Sequence, residues 1–348
     1  MSIAVTEADL HADRNLIIPF LREHLTAGSD DARYDWLYLA NPAGSAKVWI
    51  ARDQASCRPA GLAAAIPRVL SVRGENRVAW VLADFCMAPS YRSLGPALTL
   101  QRACLEAAES ARVFCSIDFP SDSMMAIYAR LGIPAFAELG RYAKLLRLDD
   151  RITRTLPIPR VSRPMSAAGN FILRLSELPI PLHADSEVTR HDADFGDEFA
   201  ALADQAASAY DCFARRSAAY LNWRYLRNPL QRHTVLAYRR HRQLLGYVVF
   251  TPGEGARGVI QEIVCLPESR TWLILARATS EYLRKAGCQT AYFWQAGSDL
   301  HPLPFGKAGF HLRDSARVIV HPTRSAPDSV RPIPEPARWL LMNGDRDI

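Results

Sequence analysis

The chain has 348 residues, enough for about two domains at the usual domain size. Hydrophobic residues make up 49% and charged residues 22%, which excludes a disordered chain. The net charge of +6, from 42 Lys and Arg against 36 Asp and Glu, is too mild to argue for nucleic acid and suits an anionic small molecule or cofactor.

In chain order, residues 6–26 and 31–40 read as helices, the second ending at Asn41-Pro42 because a residue before proline avoids the α region. Strands are expected at 46–53 and 60–72, then a long apolar strand at 76–89. Residues 94–111 form a helix on the spacing Leu98, Cys104, Leu105, Ala108. A buried strand at 111–119, a short helix at 123–131 ended by Gly132, and a strand at 141–148 follow. Residues 150–170, with Pro157, Pro159 and Pro164 and no apolar periodicity, read as a linker. Beyond it come a helix through 220–227, strands at 233–239, 244–251 and 258–266, a helix at 271–286, and strands at 289–295 and 314–321. A Pro-rich stretch, 322–336, leads into the C-terminal residues.

The chain repeats itself. Trp36-Leu-Tyr-Leu-Ala-Asn-Pro42 recurs 187 residues on as Trp223-Arg-Tyr-Leu-Arg-Asn-Pro229. Gly61 to Pro67 matches Gly246 to Pro252, Asp84 to Pro89 matches Glu262 to Pro267, and Ser121-Asp122 with Tyr128 to Ile133 matches Ser298-Asp299 with Phe305 to Phe310. Anchors in one order with slowly drifting offsets imply a duplicated unit. The expected fold is mixed α+β: two tandem domains, each a mixed, mostly antiparallel sheet flanked by helices. Their bounds are 1–149, a linker at 150–170, a second copy at 171–322, and a tail at 323–348.

Seven dispersed cysteines without a CxxC pair argue against a disulfide framework or zinc site, and the histidines show no ligand spacing. Cys86 and Cys115 lie in apolar strands with no histidine close in sequence, so they read as buried thiols rather than nucleophiles. No signal peptide or membrane span is visible, so a cytoplasmic protein is expected. The aromatic sets Tyr34/Trp36/Tyr38 and Tyr220/Trp223/Tyr225 read as helix packing, with stacking on an acceptor as the other use. Arg239 to Arg242 falls at a hairpin tip.

The chemistry-bearing segment is Pro89-Ser-Tyr-Arg-Ser-Leu-Gly-Pro-Ala97, between the long strand and its helix. Small residues at such a turn let a ligand approach free backbone N–H groups, and the helix N-terminus adds positive potential, which suits a pyrophosphate. The segments LADFCMAPSYRSLGPA (82–97) and SDSMMAIYARLGI (121–133), in this order of elements, resemble the GNAT family, the Gcn5-related N-acetyltransferases, over most of residues 1–148. Pro96 stands at the variable site and Ala97 replaces the commoner second glycine. The resemblance implies an acyl-CoA cosubstrate, no metal, and a pyrophosphate held by Arg92, Ser93, Leu94, Gly95, Pro96 and Ala97. It further implies that Phe85, Cys86 and Met87 pair with the pantetheine, and that Ser121 joins the donor-binding set. Tyr128, among Met124, Met125, Ile127 and Leu131, lies where the family places a general acid for the leaving thiolate; its other reading is a core aromatic. Asp84, the sole carboxylate on the long strand beyond its first residues, is the candidate base, since the usual strand-start Glu is replaced by Ala79-Trp80-Val81; its other reading is a structural Asp.

In the second copy Arg270 matches Arg92, but Leu273 and Leu275 stand for Gly95 and Ala97, and Phe305 for Tyr128. It therefore reads as a degenerate copy. The ending Arg338-Trp-Leu-Leu-Met-Asn-Gly-Asp-Arg-Asp347 is similar to that of tandem GNAT proteins of surface-glycan loci, with Asn343 in place of the usual Thr; its other reading is a terminal strand and turn. The expected reaction is transfer of an acetyl or other acyl group to a primary amine of a small acceptor, such as an amino sugar. The alternatives are a FemX-like aminoacyl transferase and a non-catalytic binding or scaffold protein.

Overall fold

A computed structural model describes residues 2–175, 180–253, 256–297, 303–324 and 333–346. Each half is built around long antiparallel hairpins. In the first, β1 (Ile3–Glu7) pairs with β2 (Lys47–Asp53), β2 with β3 (Pro59–Val72), and β3 with β4 (Glu75–Met87). The β3–β4 hairpin closes in two residues, Arg73 and Gly74, both at positive φ, the turn that matches strand twist. In the second, β7 (Ser186–Arg190) pairs with β9 (Thr234–Arg240), β9 with β10 (Gln243–Gly253), and β10 with β11 (Arg257–Cys265). Here His241 and Arg242 make the same two-residue turn at positive φ, so the basic hairpin tip is a turn, with Arg239 paired to Glu198. Each half then runs helix, parallel strand: α3 (Leu94–Ser110) into β5 (Cys115–Asp118), and α9 (Ser269–Lys285) into β12 (Thr290–Gly297).

The halves exchange their last strands. β6 (Ala137–Leu145), from the first half, pairs with β12 of the second, while β13 (His311–Pro322), from the second half, pairs with β5 of the first. β6 and β13 also pair with each other, so a continuous sheet runs β1-β2-β3-β4-β5-β13-β6-β12-β11-β10-β9-β7. β14 (Trp339–Met342) joins β12 to β8 (Cys212–Ala214), which in turn pairs with β3.

Several expectations are corrected. The helix expected over 6–26 is shorter, α1 spanning Arg14–His24, and residues 6 and 7 belong to the strand β1, which completes the open edge of β2. Residues 31–40 form one α turn, α2 (Asp31–Tyr34), followed by a π turn over Asp35–Leu39. The repeat of that segment does the same, with Asn222–Leu226 as a π turn. The proline-rich stretch 150–170 is helical: α5 spans Asp149–Thr155 and α6 spans Pro159–Leu175. Pro159 sits at the first helical position, where a missing N–H costs nothing. Within the tail, the terminal strand is present as Trp339–Met342, and it is buried within the sheet.

Two contacts lock the halves together. The repeated tryptophans Trp36 and Trp223 stack with ring centroids 5.3 Å apart, and each indole N–H donates to the other's backbone carbonyl at 2.8 Å. The aromatic sets are thus packing, not a free stacking surface. The second contact is a buried charge network. Asp345 Oδ1 accepts from Arg68 of β3 at 2.8 Å, and its Oδ2 accepts from Arg216 at 2.9 Å. Arg216 also donates to Glu262 of β11 at 2.9 Å, and Arg216 and Glu262 are both fully buried. Burial alone would raise the Asp345 pKa, but Arg216 and Arg68 hold it below its usual 3.8.

Replacing Trp36 by Ala removes a large core side chain and leaves the Trp223 indole N–H without its fixed setting; about 3–5 kcal/mol of stability should be lost. Because strands are exchanged, urea denaturation should still show one transition, and two resolved transitions would mean that the halves fold independently. The Asp345 carboxylate, with a folded pKa below its unfolded one, stabilises the fold above about pH 4 and loses that contribution as pH falls through the folded value. Asp345→Asn strips the buried Arg68 of its carboxylate, while Arg216 keeps Glu262, and should cost about 3–5 kcal/mol at neutral pH. Its stability-against-pH curve should be flatter than the native one below pH 4; parallel curves would remove Asp345 from the acid response.

Candidate active site

β4 and β5 are paired in parallel only at Trp80↔Ser116 and Val81↔Ile117, then diverge. From Leu82 to Met87, β4 pairs only with β3, so the backbone groups on its other edge face a gap. That gap is a cavity of about 590 Å³, lined by Leu82 to Phe85 of β4, by Asp118 to Ser121 after β5, and by Gln101 and Cys104 of α3. Its far end is closed by Leu25, Thr26 and Gly28 after α1, by Arg33, and by Leu230 from the second half.

Asp84 sits on a β-bulge. The β3–β4 register shifts between Leu62 and Ala64, and Asp84 takes φ +54°, a conformation that an L residue adopts only when its surroundings enforce it. What enforces it is visible. Asp84 Oδ1 accepts from Arg33 at 2.6 Å and Oδ2 accepts from the Tyr38 hydroxyl at 2.6 Å, all three side chains being buried. Burial, with Asp84 beside it, pushes the Tyr38 hydroxyl pKa well up, so Tyr38 is a donor and stays one. Asp84 is therefore at the cavity wall with both oxygens engaged.

Tyr128 lies on α4 (Asp122–Arg130), whose first turn is capped by Ser121 accepting from the Met124 amide. Its hydroxyl donates to Asp118 Oδ2 at 2.5 Å and accepts from Gln101 Nε2 at 3.0 Å. The ring is fully buried, and burial together with Asp118 raises its pKa well above the ordinary value. Asp118 and Gln101 line the cavity, whereas Tyr128 stands one layer back from it.

The turn before α3 is open. Pro89–Tyr91 form a short 3-10 turn, Arg92 folds its Nε–H onto the Met87 carbonyl at 3.0 Å, and Ser93 precedes the helix without a side-chain cap. Arg92, Ser93, Leu94 and Gly95 are exposed; Pro96 and Ala97 are buried beneath them. A Cβ on Gly95 would meet nothing within 4 Å. The first-turn amides of a 17-residue helix are thus accessible to an anion.

The second half has the same divergence, but there a strand occupies it. β11 and β12 pair from Arg257↔Thr290 to Ile260↔Phe293, and β14 then takes up Gln295 to Gly297 of β12. The turn that follows lies against β11, where Asn343 donates to Gln261 at 2.6 Å. A side chain at Gly344 would come within 2.1 Å of the Tyr225 hydroxyl and 3.3 Å of Glu262. The N-terminus of α9 carries Glu268, which accepts from Thr271, so a carboxylate already sits there. Trp272 and Leu275 are buried, Arg270 is turned onto the Pro181 carbonyl, and Phe305 stacks on Tyr142 at 3.8 Å. The Ser298-Asp299 repeat anchor lies outside the described residues.

Of the sequence-expected site residues, Asp84, Phe85 and Ser121 come together around the cavity; Cys86, Met87 and Tyr128 are buried and do not line it, and Arg92 to Ala97 form the open turn before α3. Arg33, Gln101, Asp118 and Leu230 were not singled out. Asp118 carried a readable signal, a second carboxylate in an apolar strand. Cys86 and Cys115 are buried, and burial pushes the Cys86 thiol up to about 12, which leaves no nucleophile there at neutral pH. Among the described residues no cluster of three His, Cys, Asp or Glu could hold a metal ion, and no helix is long and apolar enough to cross a membrane.

No family model and no curated protein matches the sequence. Solved structures do match. A GCN5-related N-acetyltransferase from Anabaena variabilis superposes with a TM-score of 0.64 at 14% identity, over 92% of this chain and 72% of that one. A GCN5-related N-acetyltransferase from Kribbella flavida gives 0.59 at 14%, over 92% and 70%. Saccharomyces cerevisiae N-myristoyltransferase with bound myristoyl-CoA gives 0.59 at 12%, over 94% and 84%. At such identities the likeness speaks for architecture alone, and the architecture is plain: this chain has the fold of the GNAT-type N-acyltransferases.

Proposed function

We propose that the chain is an acyl-CoA-dependent N-acyltransferase of two tandem GNAT-like units, the first holding the donor and the second degenerate. The observation that carries this reading is the contrast between the two clefts: one is open beside an uncapped helix N-terminus, the other is filled by the chain's own strand β14. The pantetheine lies along the bare edge of β4 at Phe85 to Met87, and the pyrophosphate lies on Arg92 to Ala97. The acceptor's amine forms a bond to the thioester carbonyl carbon, the carbon–sulfur bond breaks, and the leaving thiolate takes up a proton. The amine's proton passes to solvent water, so one proton is released for the one the thiolate takes up. Tyr128 is the proton donor or hydrogen-bond partner of that thiolate, a role for which its hydroxyl has to turn from Asp118, one layer behind the wall, into the cavity. Asp84 serves the reaction by fixing the bulge, because Arg33 and Tyr38 already occupy both of its oxygens. The enzyme would act on a small amine such as an amino sugar, in the cytoplasm. The solved neighbours support a CoA donor rather than aminoacyl-tRNA, since myristoyl-CoA is bound in the yeast enzyme. A scaffold without catalysis would bind acetyl-CoA yet release no free CoA when amines are supplied.

Acetyl-CoA should bind at one site per chain. Gly95→Leu places a bulky side chain over the amides of the first turn, where nothing else would move, and should weaken binding by about 2–3 kcal/mol. Calorimetry giving two equivalent sites, or an unchanged affinity in the variant, would remove the donor from this turn.

Tyr128→Phe keeps the ring and deletes the hydroxyl. Turnover measured under conditions where chemistry limits the rate should fall by about 10²–10⁴-fold, with donor affinity unchanged. A lower melting temperature with turnover retained would make Tyr128 an anchor for Asp118 and nothing more. In the same assay Asp84→Asn, which strips a buried arginine of its partner, should lose stability while its pH–rate profile stays parallel to the native one; a profile shifted toward alkaline pH would restore Asp84 as the base.

A further inference from the structure

The second half contains a cavity that the donor reading leaves unused. It measures about 990 Å³ and adjoins the donor cavity at Leu230, which lines both. Its floor is the sheet surface at Thr251, Pro252, Gly253, Val259 and Gln261. By the sequence repeat these positions match Ile66, Pro67, Arg68, Val81 and Ala83 of the first half. There the same five positions bound a space of only about 30 Å³, closed by Tyr220, Trp223, Asp345 and the Arg68 side chain itself.

The differences are directional. Ile66 becomes Thr251, Ala83 becomes Gln261, and Arg68, whose side chain fills the first-half space, becomes Gly253. Gln261 is the extra residue of a bulge, because Val249 pairs with Glu262 and Phe250 with Ile260. Its side chain is fixed by a 2.6 Å bond from Asn343 and lies 3.5 Å from the Thr251 hydroxyl. Thr251 and Gln261 are buried, so this is a polar floor within a walled space rather than open surface. The rim is cationic. Arg190, Arg232 and Arg257 line it, and no carboxylate does among the described residues. Arg190 is tied to Asp192 at 2.6 Å, whereas Arg232 and Arg257 have no ion pair among the described residues. His233 bonds through Nδ1 to the Tyr225 carbonyl, and burial lowers its pKa to about 4, so it is a neutral ring with Nε2 left as an acceptor. Cations at the rim, amide and hydroxyl groups on the floor, and a neutral acceptor match a hydroxylated molecule carrying an oxyanion.

We infer that this cavity is the acceptor subsite, and that the acceptor is an amine that also carries an oxyanion, phosphate or carboxylate, seated on Arg232 and Arg257 while its amine passes Leu230 toward the donor. This rests on the acyl-transfer reading for the role, though not for the binding itself.

Calorimetry of the full chain with glucosamine 6-phosphate, glucosaminuronic acid and glucosamine tests it without any donor. At least one anionic sugar should bind about 10-fold or more tightly than glucosamine, with affinity falling as salt rises, and the stronger of the two identifies the oxyanion. The double variant Arg232→Ala, Arg257→Ala, both exposed positions, should abolish that preference while acetyl-CoA affinity and melting temperature stay native. Gln261→Ala, which restores the first-half residue, should weaken both anionic and neutral sugars. Equal affinity for all three sugars, or a preference unchanged in the arginine variant, overturns the inference. Anion preference in a protein that fails to bind acetyl-CoA would instead overturn the acyl-transfer reading and leave the subsite standing.

Discussion

A parallel strand pair that diverges part-way leaves backbone N–H and C=O groups bare, and bare groups at a protein's interior edge have to be satisfied by something. The molecule contains two such divergences and answers them differently. Between β11 and β12 the answer is covalent continuity: β14 returns from the end of the chain and pairs with β12. Between β4 and β5 no strand enters among the described residues, and a cavity remains. The exchange of final strands keeps both gaps from closing by a slide of one strand toward its neighbour. β5 is held on its outer side by β13, and β12 by β6, each supplied by the opposite half.

What the two halves retain in common separates architecture from chemistry. Each keeps a carboxylate at the bulge of its central strand, Asp84 or Glu262, and each has a tyrosine from the adjoining π turn donating to it, Tyr38 at 2.6 Å or Tyr225 at 2.8 Å. Each pairs it with a buried arginine, but from different places, Arg33 and Arg216. A filled cleft has no amine to deprotonate, yet the second half keeps the carboxylate. Holding the bulge is thus sufficient reason for the residue in both. By contrast the open helix start and the tyrosine of α4 occur only beside the open cleft; their counterparts are Glu268 with Trp272 and Phe305.

The duplication was legible because its anchors are local: a tryptophan motif, a glycine opening a strand, a carboxylate within one. Hairpins were legible by alternation and turn chemistry. The strand exchange was not, since nothing in the pattern of 137–145 or 311–322 says which of two near-equivalent neighbours each strand will choose. The ending also read as a terminal strand and turn, which it is, but that Trp339–Met342 inserts between β12 and β8 was hidden for the same reason, being satisfied only at long range. Prolines misled the reading of 150–170, where Pro159 opens a helix and so does not interrupt one. Around the cavity, Phe85, Ser121 and Asp84 stood next to recognisable motifs. Arg33, Gln101, Asp118 and Leu230 belong to four separate segments with no shared spacing, and only the folded chain brings them to one wall.

Leu230 gives the duplication a use. A single unit with a splayed pair has a cleft but only its own α1–α2 loop to close the far end. Here the loop after the second π turn reaches across, because the stack of Trp36 on Trp223 sets the two π turns face to face. The same loop borders the polar cavity of the second half. A unit whose own cleft is sealed by β14 is free to diverge at the sheet surface beyond it, and that is where Thr251, Gly253 and Gln261 replace a packed interior. Sealing one cleft and opening another surface go together in the same half: the half whose strand divergence is filled by β14 forms, through Leu230, a wall of the cavity in the other.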